Sequence, residues 1–425
     1  MLIKNGIIYT GSGFEKQNIR CCGAVIAEIG QTITADDNEC IDAEGLVVSP
    51  GFVDMHVHLR EPGYTQKETI ATGTAAAIAG GFTTICAMPN VTPTPDTLQN
   101  LLVQQAIINA EGRCHVRPFM TITRDRAGNT PTDLSDFPAF CAGISDDGNG
   151  VQSMAVMELA IKQAAQSDVL VCAHCEDASI SPAGGCVHNG DYAKQNNLIG
   201  IPSASEAAMV ARDLKLVAQY RCRYHVCHVS ANESIDQIAT AKRRGLPVSC
   251  EVTPHHALLC VDDIADNGDF KMSPPLRDAS DRQALVQGII DGTVDAIATD
   301  HAPHTSQEKA GGLAKSAMGV VGLETAFAVL YTGLVNTQII SFEKLLSLLT
   351  FGPSQIINQP CGIKVGNQAD LILINPKESW VVDSSKFFSK GRASPFNGKK
   401  VVGRVIATIF NGRVVFEAKP GISAH

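Results

Sequence analysis

The middle of the chain alternates between short apolar runs and longer segments with a helical spacing of apolar positions. Eight runs have the length and composition of buried strands, and they cover residues 51–58, 82–88, 116–123, 142–147, 169–174, 224–228, 248–253 and 296–300. Helical segments separate most of them, for example residues 68–79, which end at Gly80-Gly81, and residues 154–165. Eight strands that alternate with helices over about 300 residues predict an α/β protein with a (β/α)8 barrel.

The two ends of the chain have a different pattern, made of short β-type runs and turns. These runs are residues 2–9, 24–29, 369–374 and 401–410, the last one followed by the hairpin signal Asn411-Gly412. We therefore expect residues 51–362 to form the barrel, and residues 1–50 and 363–425 to form one small β-sandwich domain from both termini. A doubly wound open sheet is the competing architecture, but no G-x-G-x-x-G motif opens a helix after the first strand.

Composition and charge narrow the classes of function. The chain is 44% hydrophobic and 18% charged, which suits a large packed core and excludes a disordered chain. Its 34 Lys and Arg against 43 Asp and Glu give a net charge of −9, which speaks against nucleic-acid binding. No apolar run approaches the roughly 18 residues of a membrane span, and the first residues begin no secretory signal. We therefore expect a cytoplasmic protein without membrane contact.

The 14 cysteines are expected to be reduced thiols, because a chain of this size with its own core needs no disulfide staples. Many lie inside apolar runs, as Cys86 does, which is typical of small buried hydrophobic residues. Cys172 and Cys175 form a C-x-x-C around His174, but no second pair follows at the spacing of a zinc ribbon. A zinc ribbon is therefore disfavoured.

Polar residues collect at the C-terminal ends of the predicted strands, where the active sites of barrel enzymes lie. These residues are His56 and His58 in the first strand, Asn90 after the second, Asp147 in the fourth, His174 in the fifth, His228 in the sixth and Asp300 in the eighth. His56 and His58 are two positions apart on a strand, so both side chains point to the same face.

Each of these residues has an ordinary structural explanation when it is taken singly. His56 and His58 could simply face a polar surface, His174 could be a core histidine, and Asp300 could cap a helix. Together, four histidines and two aspartates at five strand ends predict a catalytic metal site, and imidazole with carboxylate but no thiolate suits zinc. Because such a metal lowers the pKa of water from 15.7 to about 7, the pattern indicates a hydrolase.

Several longer motifs extend this pattern along the chain. They are G-F-V-D-M-H-V-H-L-R-E-P-G at 51–63, M-P-N at 88–90, D-D-G at 146–148, H-V-S at 228–230, P-P-L-R at 274–277, A-T-D-H-A-P-H at 298–304 and G-L-E-T at 322–325. With these motifs the chain resembles the class I dihydroorotases of the amidohydrolase superfamily over essentially its whole length. The H-x-H marks the superfamily, whereas the first and the sixth motif together separate dihydroorotases from hydantoinases and allantoinases.

The resemblance implies a barrel with a small β domain, and a reversible cyclisation of N-carbamoyl-L-aspartate to L-dihydroorotate, the third step of pyrimidine biosynthesis. It implies one or two Zn²⁺ per chain, with His56, His58 and Asp300 on one metal, His174 and His228 on the other, and Asp147 bridging them where many relatives have a carboxylated lysine. A hydroxide between the metals would be the nucleophile in ring hydrolysis, and Asp300 would act as general base and acid.

The resemblance also implies a set of substrate contacts. Arg60, Asn90 and His304 match positions that hold the substrate carboxylate, and Arg has a planar fork suited to that group. The further contacts are His58, Ser273, Met318 and Gly319. The family pattern commonly has Asn at the position of Ser273, so this contact could be weaker or mediated by water. His225, His255 and His256 are not expected to bind metal.

Two alternative functions remain open at this point. The first is another cyclic amidase, acting on hydantoin or allantoin, although such substrates have little use for Arg60, Asn90 and His304. The second is an inactive chain that serves as a structural partner of aspartate transcarbamoylase, although such a chain would be expected to have lost metal ligands. The resemblance makes a homodimer plausible and leaves a complex with aspartate transcarbamoylase possible.

Overall fold

The computed structural model describes residues 1–33 and 39–418. Its strands form one large sheet from the middle of the chain, one from both ends, and a two-stranded pairing. In chain order the strands are β1 (Leu2–Tyr9), β2 (Phe14–Cys22), β3 (Val25–Gly30), β4 (Cys40–Asp42), β5 (Val47–Pro50), β6 (Phe52–Val57), β7 (Phe82–Ala87), β8 (His115–Met120), β9 (Gly143–Ile144), β10 (Val171–Ala173), β11 (Val187–His188), β12 (Gly200–Ile201), β13 (Tyr224–Val226), β14 (Val248–Val252), β15 (Ala296–Ile297), β16 (Leu371–Val381), β17 (Lys400–Phe410) and β18 (Arg413–Glu417).

Helices connect most successive strands of the middle sheet and cover its outer face. They are α1 (Ile70–Ala79), α2 (Leu98–Glu111), α3 (Met154–Gln166), α4 (Asp191–Gln195), α5 (Ser203–Tyr220), α6 (Asn232–Arg243), α7 (Pro254–Leu258), α8 (Ala279–Asp291), α9 (Ser306–Lys309), α10 (Gly312–Lys315), α11 (Ala326–Leu330), α12 (Phe342–Leu349) and α13 (Phe351–Ile356). The predicted helices at 68–79 and 154–165 correspond to α1 and α3. The hydroxyl of Thr69 accepts a hydrogen bond from the backbone N–H of Thr72 at 3.1 Å and so caps the start of α1.

The middle sheet confirms the predicted barrel. Its eight strands pair in the order β6-β7-β8-β9-β10-β13-β14-β15, and every pairing is parallel. The barrel closes where Val57 bridges to His301 and the N–H of His58 donates to the carbonyl of His301 at 2.8 Å. Because side chains alternate along a strand, one set packs under the helices and the other, which includes Met55 and Phe119, fills the barrel interior.

A buried carboxylate ties the first barrel strand to the end of the last. Asp54 accepts a hydrogen bond from the backbone N–H of His56 at 2.9 Å and from the hydroxyl of Thr299 at 2.6 Å. The backbone N–H of Thr299 lies 3.2 Å from the same carboxylate. Burial raises the pKa of Asp54 to about 7. These bonds hold His56 close to Thr299, the residue that precedes Asp300.

The second large sheet combines strands from both termini, as predicted. Its order is β18-β17-β16-β5-β1-β2-β3, with β4 paired to β1. The sheet curls, because the N–H of Ile26 donates to the carbonyl of Asn367 at 2.9 Å and brings β3 near the start of β16. The predicted hairpin is confirmed, since Asn411 and Gly412 join β17 to β18 with φ of +50° and +70°.

The two large sheets support a division of the chain into two domains. We propose that residues 1–50 and 363–425 form one domain and residues 51–362 the other. Within these ranges, residues 34–38 and 419–425 lie outside the described residues. All fourteen cysteines lie within the described residues, and none of them forms a disulfide bond there. Within the described ranges, no helix has the length and hydrophobicity needed to cross a membrane.

Replacing Asp54 by alanine is expected to destabilise the barrel without changing its surface. The substitution leaves the buried donors of His56 and Thr299 without an acceptor, and each such donor costs about 1–3 kcal/mol. We expect the free energy of unfolding to fall by about 3 kcal/mol or more, measured as a lower Tm. Asp136→Ala, which changes an exposed aspartate, is the control. Equal melting temperatures for both variants would show that Asp54 does not hold the barrel closed.

Candidate active site

The six predicted metal ligands converge at the carboxyl ends of the barrel strands, and all of them are buried. His56 lies on β6, His58 directly follows it, and Asp147, His174, His228 and Asp300 follow β9, β10, β13 and β15. They form two groups, in each of which the ligand atoms lie within 4.8 Å of one another. The first group is His56, His58 and Asp300, and the second is Asp147, His174 and His228.

Asp147 lies between the two groups. Its Oδ1 is 3.4 Å from Nε2 of His56 and 3.3 Å from Nε2 of His228, and its Oδ2 is 3.4 Å from Nε2 of His58. In the first group, Oδ1 of Asp300 is 3.1 Å from Nε2 of His58. One carboxylate therefore contacts side chains of both groups, which is the arrangement that a bridging ligand requires.

The electrostatics of this centre favour positive charge. Burial lowers the pKa of His56, but the charge of Asp147 outweighs it, and the pKa is held well above its ordinary value. Burial likewise opposes ionisation of Asp147, yet His56 and its neighbours hold the pKa of that carboxyl well below its usual range. Among the described residues, the buried Nε2 of His56 has no hydrogen-bond partner. An unpartnered imidazole nitrogen that faces two carboxylates fits a divalent cation.

Glu251 orients the histidines from behind, and the sequence analysis missed it. Nδ1 of His56 donates to Oε1 of Glu251 at 2.8 Å, so Nε2 of that ring is free to face the centre. The other oxygen accepts from Nε2 of His225 at 3.1 Å, and His225 belongs to neither ligand group. Burial opposes ionisation of Glu251, but both histidines outweigh it and lower its pKa to about 2. A lone carboxylate inside the apolar run 248–253 was the available signal.

Three of the predicted site residues have a backbone conformation that is costly for residues other than glycine. Arg60, His228 and Asp300 have φ of +60°, +32° and +47°. Each of them lies two or three residues beyond the end of a barrel strand. Such conformations persist when the surrounding contacts fix them, and they are concentrated at functional sites.

All predicted substrate contacts line one cavity beside the two ligand groups. The cavity encloses about 620 Å³. Its lining includes the predicted contacts His58, Arg60, Asn90, Ser273, His304, Met318 and Gly319, together with Asp147, His174 and Asp300. The geometry therefore brings four of the six predicted metal ligands and all predicted substrate residues into one cavity.

Arg60 and His304 form the cationic side of this cavity. Nε2 of His304 donates to the carbonyl of Met318 at 2.7 Å, so Nδ1 is the acceptor for the ammonium of Lys67 at 3.3 Å. Burial and the charges of Arg60 and Lys67 lower the pKa of His304 to about 3, which keeps the ring neutral. Arg60 donates through Nε to the carbonyl of Pro303 at 3.2 Å and has no carboxylate partner among the described residues.

Asn90 and Ser273 lie at the predicted positions but already have partners. Nδ1 of His58 donates to Oδ1 of Asn90 at 2.9 Å, which leaves Nε2 of the ring to face Asp300. The hydroxyl of Ser273 donates to Oε2 of Glu176 at 3.3 Å, and Nε2 of His174 lies 3.3 Å from the same oxygen. Ser273 therefore reaches the site through Glu176, a contact that the sequence did not indicate.

A buried lysine fixes the segment that contains Met318 and Gly319. The ammonium of Lys309 donates to the carbonyls of Ala317 at 2.8 Å and Gly319 at 2.6 Å. Gly319 has a φ of +129°, and a Cβ at this position would lie 2.6 Å from the carbonyl oxygen of Ala302. Lys309 lies in a polar stretch without periodic pattern, so the sequence analysis missed its role.

Comparisons with known proteins agree with this geometry. A family model described as Dihydro-orotase-like matches residues 45–234. A dihydroorotase from Bacillus pumilus (strain SAFR-032) is 45% identical over 98% of both chains. A dihydroorotase from Geobacillus sp. (strain WCH70) is 43% identical over 98% of this chain and 99% of its own.

Solved structures of related enzymes share the fold. An L-hydantoinase from Arthrobacter aurescens superposes with a TM-score of 0.89 at 25% identity, over 98% of this chain and 96% of its own. A dihydropyrimidinase from Brevibacillus agri gives 0.86 at 20% identity over 98% and 95%, which bears on the fold alone. The identity to the curated relatives extends over nearly the whole chain, and the chain belongs to the dihydroorotase family of cyclic amide hydrolases.

Proposed function

We propose that the protein catalyses the reversible cyclisation of N-carbamoyl-L-aspartate to L-dihydroorotate plus water, the third step of pyrimidine biosynthesis. The observation that carries this proposal is the shared cavity, in which the histidine and aspartate groups lie next to Arg60. The first feature suits hydrolysis of an amide, and the second suits a substrate with a free carboxylate. The curated relatives that carry the name dihydroorotase support the same assignment.

The donor set supports one or two Zn²⁺ per chain. His56, His58 and Asp300 would hold one metal, His174 and His228 the other, and Asp147 would bridge them. A metal held by these residues would lower the pKa of water and would polarise the carbonyl of the ring amide. All six side chains are buried, and two ionised carboxylates with four neutral imidazoles carry a charge of −2, which one divalent cation would balance and two would exceed.

Asp300 is the residue that we propose to transfer the proton. In ring opening, its carboxylate accepts the proton of the attacking water and delivers it to the ring nitrogen that leaves as the amide bond breaks. In cyclisation, the carboxylate accepts the proton of the ureido nitrogen as that nitrogen attacks the carboxyl carbon, and delivers it to the oxygen that leaves as water. Burial opposes ionisation, but the hydrogen bond from His58 and the charges of His56 and His58 hold the pKa of Asp300 well below its usual range.

The cationic side of the cavity separates this reaction from that of the alternative amidases. Arg60, Asn90 and His304 would bind the substrate carboxylate, which hydantoin and allantoin lack, while the backbone of Met318 and Gly319 would contact the ring. An inactive structural partner is disfavoured, because all six predicted ligands are present and converge. A homodimer and a complex with aspartate transcarbamoylase stay predictions from the resemblance, and a cytoplasmic location stays a prediction from the sequence.

Removal of metal is expected to abolish hydrolysis of L-dihydroorotate, and added Zn²⁺ is expected to restore it. His58→Ala should lower the zinc content of the purified protein, because it removes a ligand of the first group. The measurement is elemental analysis alongside the rate of ring opening. His115→Ala is the matched control, because His115 pairs with Asp370 away from the site. A His58→Ala variant with unchanged zinc content and rate would contradict the ligand assignment.

Asp300→Asn is expected to lower kcat for L-dihydroorotate by about 10³-fold, because a general acid or base contributes about 10²–10⁴-fold. The amide keeps the shape of the side chain but does not accept the proton. The Tm of the variant should stay within a few degrees of the wild type. Asp236→Asn, which changes an exposed aspartate on α6, is the control and should keep full activity. Near-normal turnover by Asp300→Asn would overturn the assigned role.

A further inference from the structure

Arg126 is a cationic side chain of the same cavity that neither the motifs nor the proposed reaction has so far used. It lies in the turn after β8 and lines the cavity together with Arg60 and Asn90. Its guanidinium is partly buried, and Nε is fully buried without a hydrogen-bond partner among the described residues. No carboxylate among the described residues lies within ion-pair distance of the Arg126 guanidinium. A partly desolvated guanidinium without an acceptor is costly unless an anion binds there.

The turn that carries Arg126 is held from two sides. Oδ1 of Asp146 accepts from the backbone N–H groups of Ile122 at 2.8 Å and Thr123 at 3.1 Å. The backbone N–H of Asp125 donates to Asp96 at 3.1 Å. Asp125 and Arg126 have φ of +52° and +54°, so two consecutive residues adopt the left-handed conformation. These contacts stabilise the left-handed turn and thereby fix the backbone position of Arg126.

Arg126 and Arg60 are close enough for their charges to interact. Both side chains line the same cavity of about 620 Å³. Both guanidinium groups are attracted by Asp147. That carboxylate is already surrounded by imidazoles, with Nε2 of His228 at 3.3 Å, and is not within ion-pair distance of either arginine. Asp147 and Asp300 line the same cavity, but among the described residues no carboxylate lies within ion-pair distance of either guanidinium group.

We propose that Arg126 binds the carboxylate of the substrate together with Arg60, so that two guanidinium groups from different strand ends hold one carboxylate. This inference rests on the proposed function and names a specificity residue for it. The ligand class is a cyclic ureide or its open ureido acid with a carboxylate on the carbon next to nitrogen. Two planar forks can satisfy both oxygens of the carboxylate, whereas a neutral ring leaves both cations without a partner.

The test compares Arg126→Met and Arg126→Lys with the zinc-loaded wild type. We measure KM and kcat for L-dihydroorotate, and the Kd of orotate, a planar ring that carries the same carboxylate, by calorimetry. Arg126→Met should raise KM and the Kd of orotate by about 10- to 100-fold with kcat within threefold, because binding to ground state and transition state is lost equally. Arg126→Lys should recover part of the loss, since it keeps the charge without the fork.

Arg124→Met is the matched control, because Arg124 is exposed on the same turn, and it should leave KM, kcat and Kd within twofold. Arg126→Met values within twofold of the wild type would overturn the inference, and so would a fall in kcat with unchanged orotate binding. A wild-type protein that neither opens dihydroorotate nor binds orotate would overturn the proposed function and this inference together. If the wild type does both, the result for Arg126→Met decides the inference separately.

Discussion

The active-site arrangement depends on the closure of the barrel between its first and last strands. Asp54 makes this closure specific, because its carboxylate accepts hydrogen bonds both from His56 on β6 and from Thr299 next to Asp300. Residues 245 positions apart along the chain are thereby fixed within a few ångströms of each other. Without that connection, the first ligand group would be split between two strand ends that could move apart.

The cavity combines two regions that favour ligand groups of opposite charge. The histidine and aspartate groups attract positive charge, since Asp147 raises the pKa of His56 although burial alone would lower it. The region around Arg60 attracts negative charge, since its guanidinium has no carboxylate partner among the described residues. A substrate that is an amide at one end and a carboxylate at the other fits both regions at once. This complementarity explains why the function follows from the site and not from the barrel, which hosts many reactions.

The sequence predicted the barrel well, because alternation of apolar runs and helices is a local pattern. Strand ends were predicted less well: the run 142–147 forms a ladder only at Gly143–Ile144, since Asp146 turns to bind Thr123. The convergence of the four histidines was predictable from their position at strand ends. The role of Arg126 was not predictable, because it depends on neighbours that only the folded chain supplies. The one local signal for Glu251 was a carboxylate inside the apolar run 248–253, and its histidine partners were visible only in the fold. Nothing local to Ser273 indicated that its hydroxyl would face Glu176.

The most direct test of this account is the substrate preference of the zinc-loaded wild-type protein. We would measure kcat/KM for L-dihydroorotate, hydantoin and allantoin under identical conditions. The account predicts that dihydroorotate is preferred by about 10²-fold or more, because buried cations left without a carboxylate penalise the neutral rings. Equal or better hydrolysis of hydantoin or allantoin would contradict it, and would show that the cationic side of the cavity does not select the substrate.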